Sequence, residues 1–116
     1  MDTNPAFLFG DSIAAEQAAP GVTRKILGYD PTLMTVEVTF AAGAEGAPHT
    51  HPHAQTSYVA SGLFEVTIGG ETRRLKSGDG YYVAPHVVHG CLCLEAGVLI
   101  DNFSPCRTDF LPGNER

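Results

Sequence analysis

In Leu33-Met34-Thr35-Val36-Glu37-Val38-Thr39-Phe40, the residues Met34, Val36, Val38 and Phe40 alternate with Leu33, Thr35, Glu37 and Thr39. A period of two marks a half-buried β-strand, because successive side chains point to opposite faces. Further strands follow outward from it. Residues 55–60 are rich in Thr, Tyr and Val, and residues 63–68 put Phe64, Val66 and Ile68 on one face. Gly69-Gly70 then separates that run from residues 71–75, which predicts a hairpin. Lys76-Ser77-Gly78-Asp79-Gly80 is a turn. Residues 81–84, 89–95 and 98–103 complete the series, with an earlier strand over 22–27. Residues 12–19 read as a short helix capped by Ser12 and ended by Pro20-Gly21. Many short strands, with 13 Gly and 8 Pro, predict an all-β sandwich or barrel.

A chain of 116 residues is the size of one domain. It can bury about two-thirds of its unfolded surface and needs no disulfide staple. Net charge is -6 and the pI about 5.1, which argues against nucleic acid and against an anionic membrane surface. An acidic small molecule stays possible where a metal or a local Arg supplies positive charge. Met1-Asp2-Thr3-Asn4-Pro5 lacks the basic start of a signal peptide, and no apolar run approaches the roughly 20 residues of a membrane span. Three cysteines make an odd number, so a disulfide framework is not expected and a reducing cytoplasm is the simplest compartment. The tail over 111–116 is expected to be poorly ordered.

Pro48-His49-Thr50-His51-Pro52-His53-Ala54-Gln55 holds three of the five histidines. His49 and His51 are two apart, so in an extended strand both imidazoles face one side and can converge on a cation. Pro52 makes the path to Gln55 irregular, and strand parity does not decide there.

The motif continues as His-x-His, three residues, Gln55, six residues, Gly62, then Gly78-Asp79 and Ala84-Pro85-His86-Val87-Val88-His89. This pair of motifs resembles the cupin superfamily over roughly residues 22–111, with residues 1–21 as an N-terminal extension. The resemblance implies a double-stranded β-helix barrel, a relative of the jelly roll, which agrees with the strand reading. It also implies one divalent transition metal (Ni, Zn, Fe or Mn) held by His49, His51, Gln55 and His89. The pattern does not need His53. An amide at Gln55, where Glu is usual, leaves the site more positive and favours an anionic ligand.

Three more stretches narrow the likeness: residues 21–28, residues 61–72, and Leu99-Ile100-Asp101-Asn102-Phe103-Ser104-Pro105-Cys106-Arg107 onward. With the histidine motif they look like the small cupins of pectin degradation. That resemblance implies an enzyme that opens the ring of 4,5-unsaturated uronate monosaccharides to the linear 4-deoxy-5-keto uronate. Alternatives within the fold are an Fe-dependent dioxygenase and a non-catalytic sugar-binding module. Asp101 shares strand parity with Leu99 and Phe103 and is the candidate acid–base. Burial would raise its pKa and a metal would lower it. Arg107 is the candidate grip on a uronate carboxylate, and Phe103 a sugar-facing wall. The plainer readings are a structural Asp101–Arg107 ion pair, a solvated Arg107 and a Phe103 that belongs to the core. Of Tyr81 and Tyr82, one should face in and one out. His86 reads as structural. Cys91 and Cys93 share a face with His89, where packing of the barrel wall is favoured over thiolate ligation. Cys106 reads as unpaired. Small cupins are often dimers, and Ala6-Phe7-Leu8-Phe9 is a segment that can add a strand to a partner.

Overall fold

The structure, a computed structural model, describes residues 4–112. The strands are β1 (Glu16–Ala19), β2 (Val22–Asp30), β3 (Leu33–Phe40), β4 (Glu45–His49), β5 (Ala54–Ile68), β6 (Glu71–Lys76), β7 (Gly80–Val83) and β8 (His89–Ser104), with short 3-10 turns at Gly10–Ser12 and Thr108–Phe110. All pair antiparallel in one sheet ordered β1-β2-β3-β8-β5-β6, with β4 on β8 and β7 on β5. The fold is the expected all-β, jelly-roll-like barrel. Among the described residues, no helix is long and apolar enough to cross a membrane.

Strand β3 falls where its alternation put it, and Met34, Val36, Val38 and Phe40 are all buried. They join Val59, Phe64, Val66, Cys93 and Leu99 in the core, where the Phe40 and Phe64 rings meet edge to face at 5.2 Å. The hairpin at Gly69-Gly70 is present, with φ of 56° and 88° at the two glycines, the left-handed pair that a tight hairpin turn requires.

Four expectations change. First, residues 16–19 form β1 and not a helix. An isolated helix of eight residues is marginal in water, whereas here Gly21 at φ 74° turns the chain back so that Glu16 lies opposite Arg24. Second, the segments 55–60 and 63–68 are one bent strand, as are 89–95 and 98–103. Ser61-Gly62 and Ala96-Gly97 look like breaks in sequence, but they are where two long strands bend together. A Cβ on Gly97 would lie 2.1 Å from Ser61 O, and one on Gly62 would lie 2.6 Å from Glu95 O. Gly62 absorbs the bulge at φ 85°. Third, β4 has no sequence forecast, because its Gly and Pro hide it. Fourth, Leu111 and Cys106 are buried although they lie near the tail; residues 113–116 of that tail, and Met1-Asp2-Thr3, lie outside the described residues. Residues 6–9 pair with no strand, and Phe7 and Phe9 are exposed.

The strand crossing yields a test. Gly97→Ala is expected to destabilise by about 1–3 kcal/mol through overpacking, read as a fall in thermal midpoint. Gly10→Ala, which has open space around it, should leave the midpoint unchanged. Equal midpoints for the two variants would contradict the close crossing.

Candidate metal centre

Three histidines arrive at one place by three local devices. His49 ends β4 and lies opposite His89, the first residue of β8. His51 sits in the loop just past β4, two residues on from His49 and before the bend at Pro52. Its carbonyl accepts a hydrogen bond from His86 N–H at 2.8 Å, and Val87 N–H closes the Ala84–Val87 turn at 3.2 Å. His86 itself is exposed and holds the left-handed φ of 68° in that turn, with Pro85 setting up the preceding position. The turn therefore fixes the His51 loop and delivers His89 together. His49, His51 and His89 each offer a ring nitrogen, and these atoms lie within 4.8 Å of one another.

The nitrogens are sorted by the backbone. His49 Nδ1 faces Ala47 O at 2.8 Å, His51 Nδ1 faces His53 O at 3.0 Å, and His89 Nδ1 faces Val87 O at 2.9 Å. A carbonyl only accepts, so each Nδ1 carries the hydrogen and each Nε2 keeps its lone pair. This is the wiring that orients imidazole toward a metal.

Two atoms then lack a suitable neighbour. His89 Nε2 is buried without a hydrogen-bond partner. His51 Nε2 lies 2.9 Å from Gln55 Oε1, and the amide oxygen faces it because Gln55 Nε2–H donates to Ser57 Oγ at 2.9 Å. With the hydrogen on Nδ1, two acceptors face each other there, and a cation beside them relieves the clash. A proton is disfavoured, because burial lowers the pKa of both His51 and His89. A metal ion bound by three Nε2 atoms and the Gln55 oxygen satisfies every one of these groups, so the residues fit it. Neutral nitrogen and amide-oxygen donors suit several first-row divalent metals.

The network runs on. Ser57 O–H donates to Asp101 Oδ1 at 2.6 Å. Asp101 lies opposite Ser57 in the β5–β8 ladder, and Gln55 lies opposite Phe103. Burial pushes the Asp101 carboxyl up to about 6, against the Ser57 hydrogen bond and the positive charge of Arg107, which both lower it. Of these three effects burial is the largest. Ser57 had no forecast, although it stands two residues past Gln55 on the inward face of the same strand and is buried.

His49, Gln55, His89 and Asp101 open on a cavity of about 400 Å³ that Phe103 and Arg107 also line, a size that holds a small ligand. Arg107 makes no ion pair with Asp101. It binds Asp109 through Nε at 3.2 Å and Nη2 at 2.8 Å, and its guanidinium lies 5.2 Å from the Phe103 ring. It is not solvated. Phe103 is buried, packs edge-on to His51 at 5.7 Å and still lines the cavity, so it serves core and wall at once. His53 lies beside this wall at 5.3 Å from His51; its carbonyl orients His51, while burial lowers its own pKa. Tyr81 faces in and Tyr82 out. Burial pushes the Cys91 thiol up to about 11 and that of Cys93 upward, so both stay protonated at neutral pH. Among the described residues the metal-competent group contains only the three histidines, and all three cysteines are free.

Comparison with known proteins adds context. A family model described as the cupin domain matches residues 36–99. The pectin degradation protein KdgF of Dickeya dadantii is 49% identical over 107 residues, covering 90% of this chain and 97% of that protein. Among solved structures, an RmlC-like cupin from Shewanella frigidimarina superposes with a TM-score of 0.93 at 43% identity, covering 96% of this chain and 100% of that one. The structure of KdgF from Halomonas sp. gives a TM-score of 0.89 at 42% identity, covering 93% and 100%.

The Asp101 environment predicts a pH effect on the metal-free protein. Its folded pKa of about 6 lies above the ordinary 3.8. The folded state therefore holds the proton more tightly than the unfolded chain. This stabilisation is complete below pH 3.8 and is lost as pH rises through about 6. The thermal midpoint of the metal-free protein should fall relative to Asp101→Asn between about pH 4 and pH 7. The histidine contributions are common to both proteins and cancel. A midpoint difference that stays flat across that range would contradict the assignment.

Proposed function

The chain belongs to the cupin family, and from that membership we propose that it is a metal-dependent enzyme that opens the ring of 4,5-unsaturated uronate monosaccharides. The observation that carries this reading is a continuous run of contacts along one cavity wall, from His51 through Gln55 and Ser57 to Asp101, of which Gln55 and Asp101 line the cavity. The likeness to pectin degradation proteins supports the substrate class. The metal, which this reading takes as Ni, Zn, Fe or Mn, would be held by His49, His51, Gln55 and His89. When bound it supplies a Lewis acid that stabilises negative charge on a substrate oxygen.

The chain's own residues supply the proton chemistry. The substrate carries a hydroxyl at its anomeric carbon and an enol ether next to its carboxylate. Ionised Asp101 removes the anomeric hydroxyl proton. The carbon–oxygen bond of the ring breaks to leave an aldehyde, and its electron pair forms an enolate at the former ring oxygen. Asp101 then returns the proton to the former alkene carbon, which yields the 4-deoxy-5-keto uronate with no atom gained or lost. A carboxyl with pKa near 6 does both tasks at modest cost near neutral pH. Ser57 holds that carboxylate toward the metal ligands. Arg107, fixed along one edge by Asp109, presents its remaining N–H groups to the substrate carboxylate. Phe103 forms the apolar wall under the sugar.

Three outcomes follow. Metal-loaded protein should accelerate loss of the alkene ultraviolet absorbance of unsaturated galacturonate, and no gain over the spontaneous rate would end this reading. Asp101→Asn should lower kcat by about 10²–10⁴-fold with the metal content unchanged, and full activity would remove Asp101 from the mechanism. Ser57→Ala should move the ionisation in the pH–rate profile upward, because the lost hydrogen bond favoured the carboxylate; an unmoved profile would give Ser57 a packing role only.

A further inference from the structure

Strand β2 carries an arginine at an inward position. Val22 and Arg24 are two apart, Arg24 lies opposite the buried Val38 of β3, and all three line the cavity. A guanidinium on the inner wall of a barrel is costly unless something is gained there. Its surroundings repeat those of Arg107. Arg24 Nε is held by Glu16 at 2.7 Å, as Arg107 is held by Asp109. The Arg24 guanidinium lies 3.8 Å from the Phe110 ring centre and that of Arg107 lies 4.2 Å from the same ring. The arginine side chains are only 22% and 13% exposed, whereas Glu16 and Asp109 are 48% and 55% exposed.

Neither Glu16 nor Asp109 lines the cavity. Each carboxylate therefore tethers its arginine from outside the cavity, Glu16 through Nε of Arg24 alone and Asp109 through Nε and Nη2 of Arg107, and leaves N–H groups unused on both guanidiniums. Arg24 and Arg107 are the only Lys or Arg side chains among the described residues that line this cavity. Two like charges stacked on one ring repel each other, and an anion bound by both relieves that repulsion. A core position needing only bulk would be filled by Leu or Met.

We propose that Arg24 is a second carboxylate-binding residue, which acts with Arg107 across Phe110 to hold the carboxylate of a hexuronate in the cavity. This rests on the uronate reading above and deepens it. Arg24 is set two residues from Val22 by strand parity, and Phe110 spaces the two guanidiniums so that each can take one carboxylate oxygen.

The test is a binding comparison on metal-loaded protein with galacturonate and galactose, which differ in the carboxylate. The unsubstituted protein should prefer galacturonate. Arg24→Gln should weaken galacturonate about tenfold or more and leave galactose unchanged, while Arg24→Lys should recover part of the loss. Equal weakening of both sugars, or of neither, would overturn the proposal, as would an unsubstituted protein that does not prefer galacturonate. Should Arg24→Gln fold poorly, the side-chain NMR signals of Arg24 in the unsubstituted protein decide the matter. They should shift with galacturonate and stay fixed with galactose; the same response to both would refute the role. Failure of the ring-opening reading looks different: unsaturated galacturonate would go unconsumed while the binding preference and its dependence on Arg24 persisted.

Discussion

Strands β5 and β8 are hydrogen-bonded to each other from Ala54 opposite Ser104 at one end to Ile68 opposite His89 at the other. Side chains on a strand alternate faces, so a slip of one residue would turn every inward group outward. In the register observed, Gln55, Ser57 and Val59 face in from β5, and His89, Leu99, Asp101 and Phe103 face in from β8. The ladder that builds the core thus sets the spacing of the site. Gly62 and Gly97 make it possible, because only the absence of both Cβ atoms lets the two strands bend through the same point.

The site is organised by groups that are themselves fixed. Three backbone carbonyls decide which nitrogen of each imidazole is free. Gln55 links the metal site to the acid site: its oxygen faces His51 and its amide N–H donates to Ser57. At Asp101 burial raises the carboxyl, against the Ser57 hydrogen bond and the charge of Arg107. Arg24 and Arg107 line the same cavity, while the carboxylates that bind them, Glu16 and Asp109, do not.

Much of this was legible in the sequence. The alternation of residues 33–40 marks a strand with the observed limits; the spacing of His49 and His51 pointed to two of the residues that converge, and the cupin resemblance to His89. The inward face of Asp101 was legible by parity with Leu99 and Phe103, while its selection as a candidate came from the resemblance. What was hidden has physical causes. Ser61-Gly62 and Ala96-Gly97 carry turn chemistry but sit in bulges, because a Gly that ends a strand and a Gly that bends one look alike. Glu16–Ala19 has a composition that suits a helix, and pairing with β2 overrode it. Ser57 was visible by the same parity that selects Gln55, yet a lone serine announces nothing until its neighbour across the ladder is known. Arg24 shares parity with Val22, and its importance emerges only with Phe110, which arrives from the far end of the chain.

The central claim is that three imidazoles and one amide oxygen form a single metal site joined to Asp101. A crystal structure of the metal-loaded protein, with the metal located by its anomalous scattering, tests this most directly. The account predicts one ion bonded to Nε2 of His49, His51 and His89 and to Oε1 of Gln55, with Ser57 still bridging to Asp101. An ion bound elsewhere, bound through Nδ1, or bound with the Gln55 side chain turned away from it would contradict the account.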